Sequence, residues 1–275
     1  MDQTHSLFDL TAFLAALAAL CVFGIGGWLV SLVKRDVSIV DSLWSLMFLL
    51  AALVYFFISG SRGLMAVAVL GMTALWALRL AGYITWRNWG EGEDRRYQAI
   101  RARNQPGFTF KSLYLVFWLQ GVLAWVISLP LLVAITADTP PGILALIGGG
   151  VWALGLFFEV VGDWQLARFK ADPANRGKVM DHGLWRYTRH PNYFGNALIW
   201  WGFYLVALDS GGWWTIVSPL LMTVLLLKVS GVALLEQDIG ERRPGYRDYM
   251  ERTNAFIPGP RRAPQNRAKT GKDAA

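Results

Sequence analysis

One cysteine, Cys21, stands in a chain of 275 residues, and it lies inside an apolar run. A lone thiol closes no intrachain disulfide and makes no CxxC metal or redox motif, so Cys21 is read as packing. Histidine is nearly as scarce: His5, His182 and His190 are the full set. They lack metal-ligand spacing, and no Ser–His–Asp constellation accompanies them. A Walker loop and a strand-borne G-x-G-x-x-G are also missing. Any dinucleotide must therefore be held by side chains rather than by a glycine-rich cradle. Charge is low, at 16% of residues, where soluble domains carry about 25%. Alternating ten-residue patterns are absent, which argues against a membrane-spanning β-barrel. The opening residues, MDQTHSLFDL, show neither a basic n-region nor an A-x-A site and are not read as a cleaved signal.

What is abundant is apolar: 55% of the chain, with 14 Trp and 15 Phe. A helix needs about 20 apolar residues to cross the hydrocarbon core. Seven stretches qualify, at approximately 7–33, 37–59, 63–86, 112–137, 141–168, 193–208 and 211–235. The sixth is short and spans only if buried among its neighbours or continued into the preceding turn. The expectation is an all-α integral membrane protein of about seven transmembrane helices. Residues 1–36 form the first helix and its turn, 37–262 the main membrane domain and 263–275 a basic disordered tail.

The net charge of +7 sits in loops between the apolar stretches. That distribution indicates membrane orientation rather than nucleic acid. Seven crossings, with the N-terminus outside and the C-terminus cytoplasmic, bring every basic loop to one side. Five ionisable residues fall inside the spans: Asp41, Arg79, Glu159, Asp163 and Lys228. Each costs several kcal/mol there unless paired or hydrated. Lys228 alone reads as well as a snorkelling side chain. As a set, the five point to a polar cavity opening to the cytoplasm.

The densest polar stretch is GDWQLARFKADPANRGKVMDHGLWRYTRHPNYFGN, 162–196. Arg168, Lys170, Arg176, Lys178, Arg186 and Arg189 are candidate phosphate partners, because guanidinium donates two parallel hydrogen bonds. Asn175, Asn192 and Asn196 suit an amide or a ribose. Trp185, Tyr187 and Tyr193 suit a flat ring. His190-Pro191 makes an extended turn just before a helix, placing Asn192 near an N-terminus that attracts anions. Two other stretches stand out. RNWGEGEDRRY, 87–97, pairs acidic residues with Arg95 and Arg96. EQDIGERRPGYRDYMERTNAFIP, 236–258, brings Glu236, Asp238, Arg242, Arg243, Tyr246, Arg247 and Tyr249, and reads otherwise as an interfacial helix.

The segments VDSLW (40–44), RNWGEGEDRRY, GLWRYTRHPNYFG (183–195), WWGFY (200–204) and RRPGYRDYMERTNAFIPGPRR (242–262) together resemble the steroid 5α-reductase superfamily. The closer likeness is to its bacterial DUF1295 branch. The resemblance implies a membrane enzyme taking hydride from NADPH to the C=C bond of an enone lipid, such as a 3-oxo-Δ4-steroid. It implies a bacterial inner membrane with the cofactor site facing the cytoplasm. It places Asp163 and Asn192 at NADPH, with Arg168, Lys170, Arg176 and Lys178 toward its phosphates. Asn175, Tyr187, Arg189, His190, Tyr193, Asn196 and Lys228 complete the cofactor set, and Glu236 and Tyr246 belong to a closing segment. Asp41 and Tyr83 are the candidate acid and donor; Trp44, Trp76 and Arg79 are the substrate-facing candidates. No metal is expected. The family's Glu after Asn-x-x-Gly is Asn196 here, and its third-helix Tyr has no clear counterpart. Two other readings remain: an S-adenosylmethionine-dependent membrane methyltransferase of the isoprenylcysteine or phospholipid type, and a nonenzymatic lipid-binding protein.

Overall fold

The structure is a computed structural model that describes residues 8–137, 139–229, 232, 236 and 245–263. The expected tail from 264 on, Asp238, Arg242, Arg243 and part of the 211–235 stretch lie outside the described residues. Within them the chain is helical, its one extended pairing being an isolated bridge between Thr188 and Asn254.

Five helical segments are long and apolar enough to cross a membrane: Leu10–Lys34, Val37–Ser59, Leu64–Arg87, Phe108–Ile127 and Ile143–Ala171. Their outward side chains are themselves apolar, with Val22 69%, Leu64 69% and Ile143 70% exposed. Such a surface is stable against lipid and not against water, so this is a membrane protein. The stretches expected at 193–208 and 211–235 form Pro191–Asp209 and Trp213–Lys228. Neither belongs to the five.

The chain divides into two compact units, Met1–Gly150 with Trp201–Leu220 and Val151–Trp200 with Leu221–Ala275. The first contains α1 (Leu10–Lys34), α2 (Val40–Ser59), α3 (Leu64–Arg87), α4 (Arg95–Arg103), α5 (Phe108–Ser112), α6 (Leu119–Ile127) and α7 (Leu129–Thr136). α2 is central and packs on α1, α3, α6 and α7. Met47, Phe48 and Tyr55 of α2, Trp76 of α3 and Phe117 before α6 are its fully buried core.

The single helix expected over 112–137 is instead broken. It starts earlier, at Phe108, runs through a π-turn at Leu113–Trp118, and stops at Ile127 before α7 restarts at Leu129. Pro130 is the cause. It has no N–H for the carbonyl of Val126, and its ring crowds that carbonyl. The orphaned Val126 oxygen accepts instead from Ser218 Oγ at 3.2 Å. Ser128, at the break, turns its hydroxyl to the Trp125 carbonyl (2.8 Å) and meets the buried Tyr55 hydroxyl at 2.6 Å. A break inside an apolar region is tolerated because each freed polar group finds a partner.

The remaining helices, α8 (Ile143–Ala171), α9 (Pro191–Asp209) and α10 (Val217–Val224), contribute to both units, and α11 (Gly245–Arg252) to the second. In the first unit Asp209, at the end of α9, caps the start of α8. Its carboxylate accepts from Gly142 N (2.6 Å) and Leu144 N (3.2 Å). Asp209→Ala removes a helix cap and is expected to lower stability by about 1 kcal/mol. The check is thermal unfolding in detergent, with Asp209→Asn intermediate because its one amide oxygen replaces only one of the two acceptors.

Candidate functional site

The second unit builds its polar region from the end of α8, the segment 172–190 and the start of α9. Asp163 is buried on α8 at 4% exposure, and Glu159, one turn away on the same face, at 2%. Pro191 opens α9, where its missing N–H costs nothing. Asn192 and Asn196 follow, again one turn apart. Asn192 Nδ2 donates to Asp163 Oδ1 at 3.1 Å, and Asn196 Nδ2 approaches Glu159 Oε1 at 3.5 Å. Two acid–amide rungs therefore stand one above the other between two helices. The buried Asn196 Oδ1 has no hydrogen-bond partner within the described residues. A buried amide oxygen left open calls for a donor.

The rungs form because α8 and α9 approach closely in this unit. A Cβ added at Gly195 would lie 2.5 Å from the Gly155 carbonyl oxygen and 2.5 Å from the Glu159 backbone nitrogen. Only glycine permits that crossing.

Beyond Asp163, α8 ends in exposed cations. Arg168 lies over the ring of Trp164, 5.6 Å from its centroid. Lys170, Asn175 and Arg176 line a cleft of about 360 Å³ with Phe169 and Gly177. Asp172 caps the short turn Pro173–Asn175 through Ala174 N at 2.9 Å. Asn175 Nδ2 donates to the Phe169 carbonyl at 3.1 Å, so it closes the end of α8. Lys178, Arg186 and Tyr187 are exposed, as is Lys228.

The loop 183–190 is held from inside the protein. Leu184 N donates to Gln165 Oε1 (3.0 Å), and the buried Trp185 donates its indole N–H to the Gly162 carbonyl (3.0 Å). Trp185 is thus an anchor, not the stacking platform expected of it. Arg189 N donates to the Asn254 carbonyl at 2.9 Å, and Thr188 Oγ1 to that of Phe256 at 2.8 Å. Tyr249 donates its hydroxyl to the Trp185 carbonyl. Tyr249 belongs to the polar stretch 236–258 marked in the sequence, whereas Gln165, Thr188 and Asn254 were not singled out from it.

Arg189 is also placed differently from its expected phosphate role. Its Nε and Nη2 donate to the two oxygens of Glu236 at 2.7 and 2.8 Å, and its Nη1 to the carbonyls of Met250 (3.0 Å) and Thr253 (2.6 Å). The fork that would grip a phosphate already grips a carboxylate. His190 Nε2 reaches Glu236 Oε1 at 2.9 Å, and Tyr246 donates to the same oxygen at 3.4 Å. Tyr193 lies parallel to the His190 ring, with 5.5 Å between centroids. Burial pushes the Glu236 carboxyl up, but hydrogen bonds from His190 and Arg189 and the Arg189 charge outweigh it, holding it at about 2. Burial and the Glu236 charge raise the Tyr246 phenol.

In the first unit, Asp41 accepts from Arg96 Nη2 and from the Tyr97 hydroxyl, both at 2.6 Å. Gln120 donates to the Tyr97 hydroxyl at 3.2 Å. Both Asp41 oxygens therefore act as acceptors, and the tyrosine that meets Asp41 is Tyr97 of α4, where Tyr83 was expected. Burial, then the Asp41 charge, raises the Tyr97 phenol well above its ordinary range. Of the acidic residues in RNWGEGEDRRY, Asp94 pairs with Arg96 (3.0 Å), as expected, but Glu93 pairs with Arg101 (2.7 Å). Tyr83 lies beside Arg79 and Arg87, whose guanidinium carbons are 5.4 and 5.8 Å from its ring centre. Trp44, Phe48 and Trp76 form an aromatic run with centroids 5.0 and 5.6 Å apart. All fifteen expected cofactor residues belong to the second unit, and all five catalytic and substrate candidates to the first.

Comparison with known proteins finds an uncharacterised Schizosaccharomyces pombe protein, C594.04c, 28% identical over 91% of this chain and 81% of its own length. No solved structure matches. Residues 27–253 match the family described as "Protein of unknown function (DUF1295)", and the chain belongs to that family.

Proposed function

We propose that this protein is an NADPH-dependent membrane reductase that adds hydride to the C=C bond of an enone lipid, of the 3-oxo-Δ4-steroid kind. The proposal includes seven crossings, with the N-terminus outside and the nucleotide side facing the cytoplasm of a bacterial inner membrane. The observation that carries it is the pair of buried acid–amide rungs, Asp163–Asn192 and Glu159–Asn196. A membrane helix pair has no structural need for two buried carboxylates. Together the rungs offer amide N–H donors, carboxylate acceptors and the open Asn196 oxygen. That set suits a carboxamide and ribose hydroxyls, so the residues present fit the group.

Lys170 and Arg176, with exposed Arg168 and Lys178, would take the phosphates, and exposed Tyr187 would stack on the adenine. Lys170 lies seven residues beyond Asp163, about 10 Å along α8. Arg189, His190, Glu236 and Tyr246 would not touch phosphate; they hold the loop from which Asn192 emerges. The bound nucleotide supplies the hydride. In the first unit, Arg79 and Tyr83 would donate to an enolate oxygen and half-buried Trp44 would face a flat lipid; Trp76, fully buried in the core, is not the contact surface expected from sequence. Asp41 would orient Tyr97 and Arg96 rather than donate a proton.

The test is thermal unfolding of the detergent-purified protein with NADPH, NADH or S-adenosylmethionine, followed by loss of 340 nm absorbance with progesterone or testosterone. Stabilisation by NADPH and enone-dependent oxidation are expected. Asn192→Ala and Asp163→Ala should each weaken NADPH binding by roughly ten- to a hundredfold. Stabilisation by S-adenosylmethionine alone would turn the assignment to a methyltransferase. No response to any of the three would turn it to a lipid-binding protein.

A further inference from the structure

The first unit contains a hollow of about 430 Å³ that the proposed reaction does not use. Lys34, Arg35, Ser38 and Ser42 line it from the corner between α1 and α2, and Trp89 and Glu91 from the loop after α3. Two apolar spans end here and a third begins, so the hollow opens where hydrocarbon gives way to headgroups. Trp86 and Trp89 are 65% and 79% exposed. Exposed tryptophans at the ends of apolar helices mark that same boundary.

The charges sort themselves by what they already do. Asp36 accepts from Ser38 N (2.8 Å) and from the Ser38 hydroxyl. Glu93 accepts from Val37 N (3.0 Å) and from Arg101 through both oxygens. These two carboxylates serve the corner itself. Lys34, Arg35 and Glu91 are exposed around the same hollow. Arg35 has a further peculiarity: at φ 56° it is the one non-glycine residue in the left-handed region among the described residues. It occupies the position after α1 where glycine is cheapest. The backbone there would be better served by glycine, so what the position gains from arginine lies in its side chain.

We propose that this hollow binds the zwitterionic headgroup of an aminophospholipid, with the phosphate against Lys34 and Arg35 and the ammonium against Glu91. Two adjacent cations suit a phosphodiester. A carboxylate in the same lining, from the loop after α3, suits a primary ammonium, which donates hydrogen bonds that a quaternary one cannot. The site is independent of the nucleotide.

Full-length protein in phosphatidylcholine nanodiscs, titrated with phosphatidylethanolamine or phosphatidylglycerol, tests this by thermal unfolding and by mass spectrometry of retained lipid. Phosphatidylethanolamine should be retained preferentially. Arg35→Gly, which keeps the left-handed turn, and Lys34→Gln should each reduce that retention by about fivefold, the effect of losing a charge-assisted contact. Glu91→Gln should erase the preference for phosphatidylethanolamine over phosphatidylcholine. Unchanged lipid profiles in Arg35→Gly and Lys34→Gln overturn the proposal, as does equal retention of phosphatidylglycerol by the native chain. Equal stabilisation by inorganic phosphate would make this a site for free phosphate and overturn the lipid assignment. NADPH binding should be the same in all three variants, which separates failure here from failure of the reductase reading.

Discussion

Arg189→Ala is expected to destabilise the second unit by about 3–5 kcal/mol, the cost of breaking a buried ion pair from one side. The Arg189 and Glu236 side chains are only 10% and 15% exposed. Without the guanidinium, Glu236 would keep His190 and Tyr246 but lose its cationic fork, and the Met250 and Thr253 carbonyls would lose their donor. Arg189→Lys should recover little, because an ammonium cannot span both carboxylate oxygens and two carbonyls at once. The double change Arg189→Met with Glu236→Leu should be much milder than either single truncation, since it leaves no charge behind. Urea unfolding followed by tryptophan fluorescence gives these differences. An alanine variant within about 1 kcal/mol of the native chain would remove the clamp from the account.

The same pair sets a pH dependence. Glu236 titrates at about 2 in the folded protein, below an unfolded value of about 4.3. Its contribution to stability is therefore complete above about pH 4.3 and is lost as pH falls from there toward 2. The unfolding temperature should drop over that window, and Glu236→Gln should flatten the drop.

Gly195→Val is the second large effect. Even the first carbon of a side chain there would sit 2.5 Å from the backbone of α8. Backbone atoms cannot move aside as a flexible side chain can, so the helices must separate. The expected loss is about 1–3 kcal/mol or more. Separation also lengthens Asp163–Asn192, so NADPH affinity should fall with stability, as in Asn192→Ala. Gly150→Ala on α8 is the control. No atom lies within 4 Å of its added carbon, and alanine in a helix should be neutral or stabilising by up to about 1 kcal/mol. If Gly195→Val and Gly150→Ala behave alike, close helix approach is not what builds the rungs.

The apolar spans were legible because hydrophobic length is a local quantity. The stretches read at 37–59 and 63–86 correspond to Val37–Ser59 and Leu64–Arg87. The break at Pro130 leaves no mark in hydrophobic length, because the apolar composition continues across it. How its freed carbonyl is satisfied could not be read at all, since Ser218 is 92 residues away. Asp163 and Asn192 were named as a cofactor pair through a resemblance, and their hydrogen bond spans 29 residues. Arg189 was read by its chemistry as a phosphate fork. Its actual acceptor, Glu236, is 47 residues on. Asp41 was read as an acid to be paired with Tyr83, yet Arg96 and Tyr97, 55 and 56 residues on, take both its oxygens.

The sequence by itself determined that the chain is a helical membrane protein, where most of its spans lie, and which short stretches concentrate polar chemistry. Transfer from water to hydrocarbon adds up residue by residue, so one dimension suffices for it. Only the tertiary structure decided which charge meets which: that Arg189 holds Glu236, that Asp41 holds Arg96, and that the close helix approach at Gly195 accompanies the pairing of Asn192 with Asp163. Hydrogen bonds act over about 3 Å and depend on angle, and no spacing along a chain specifies contacts between residues dozens of positions apart.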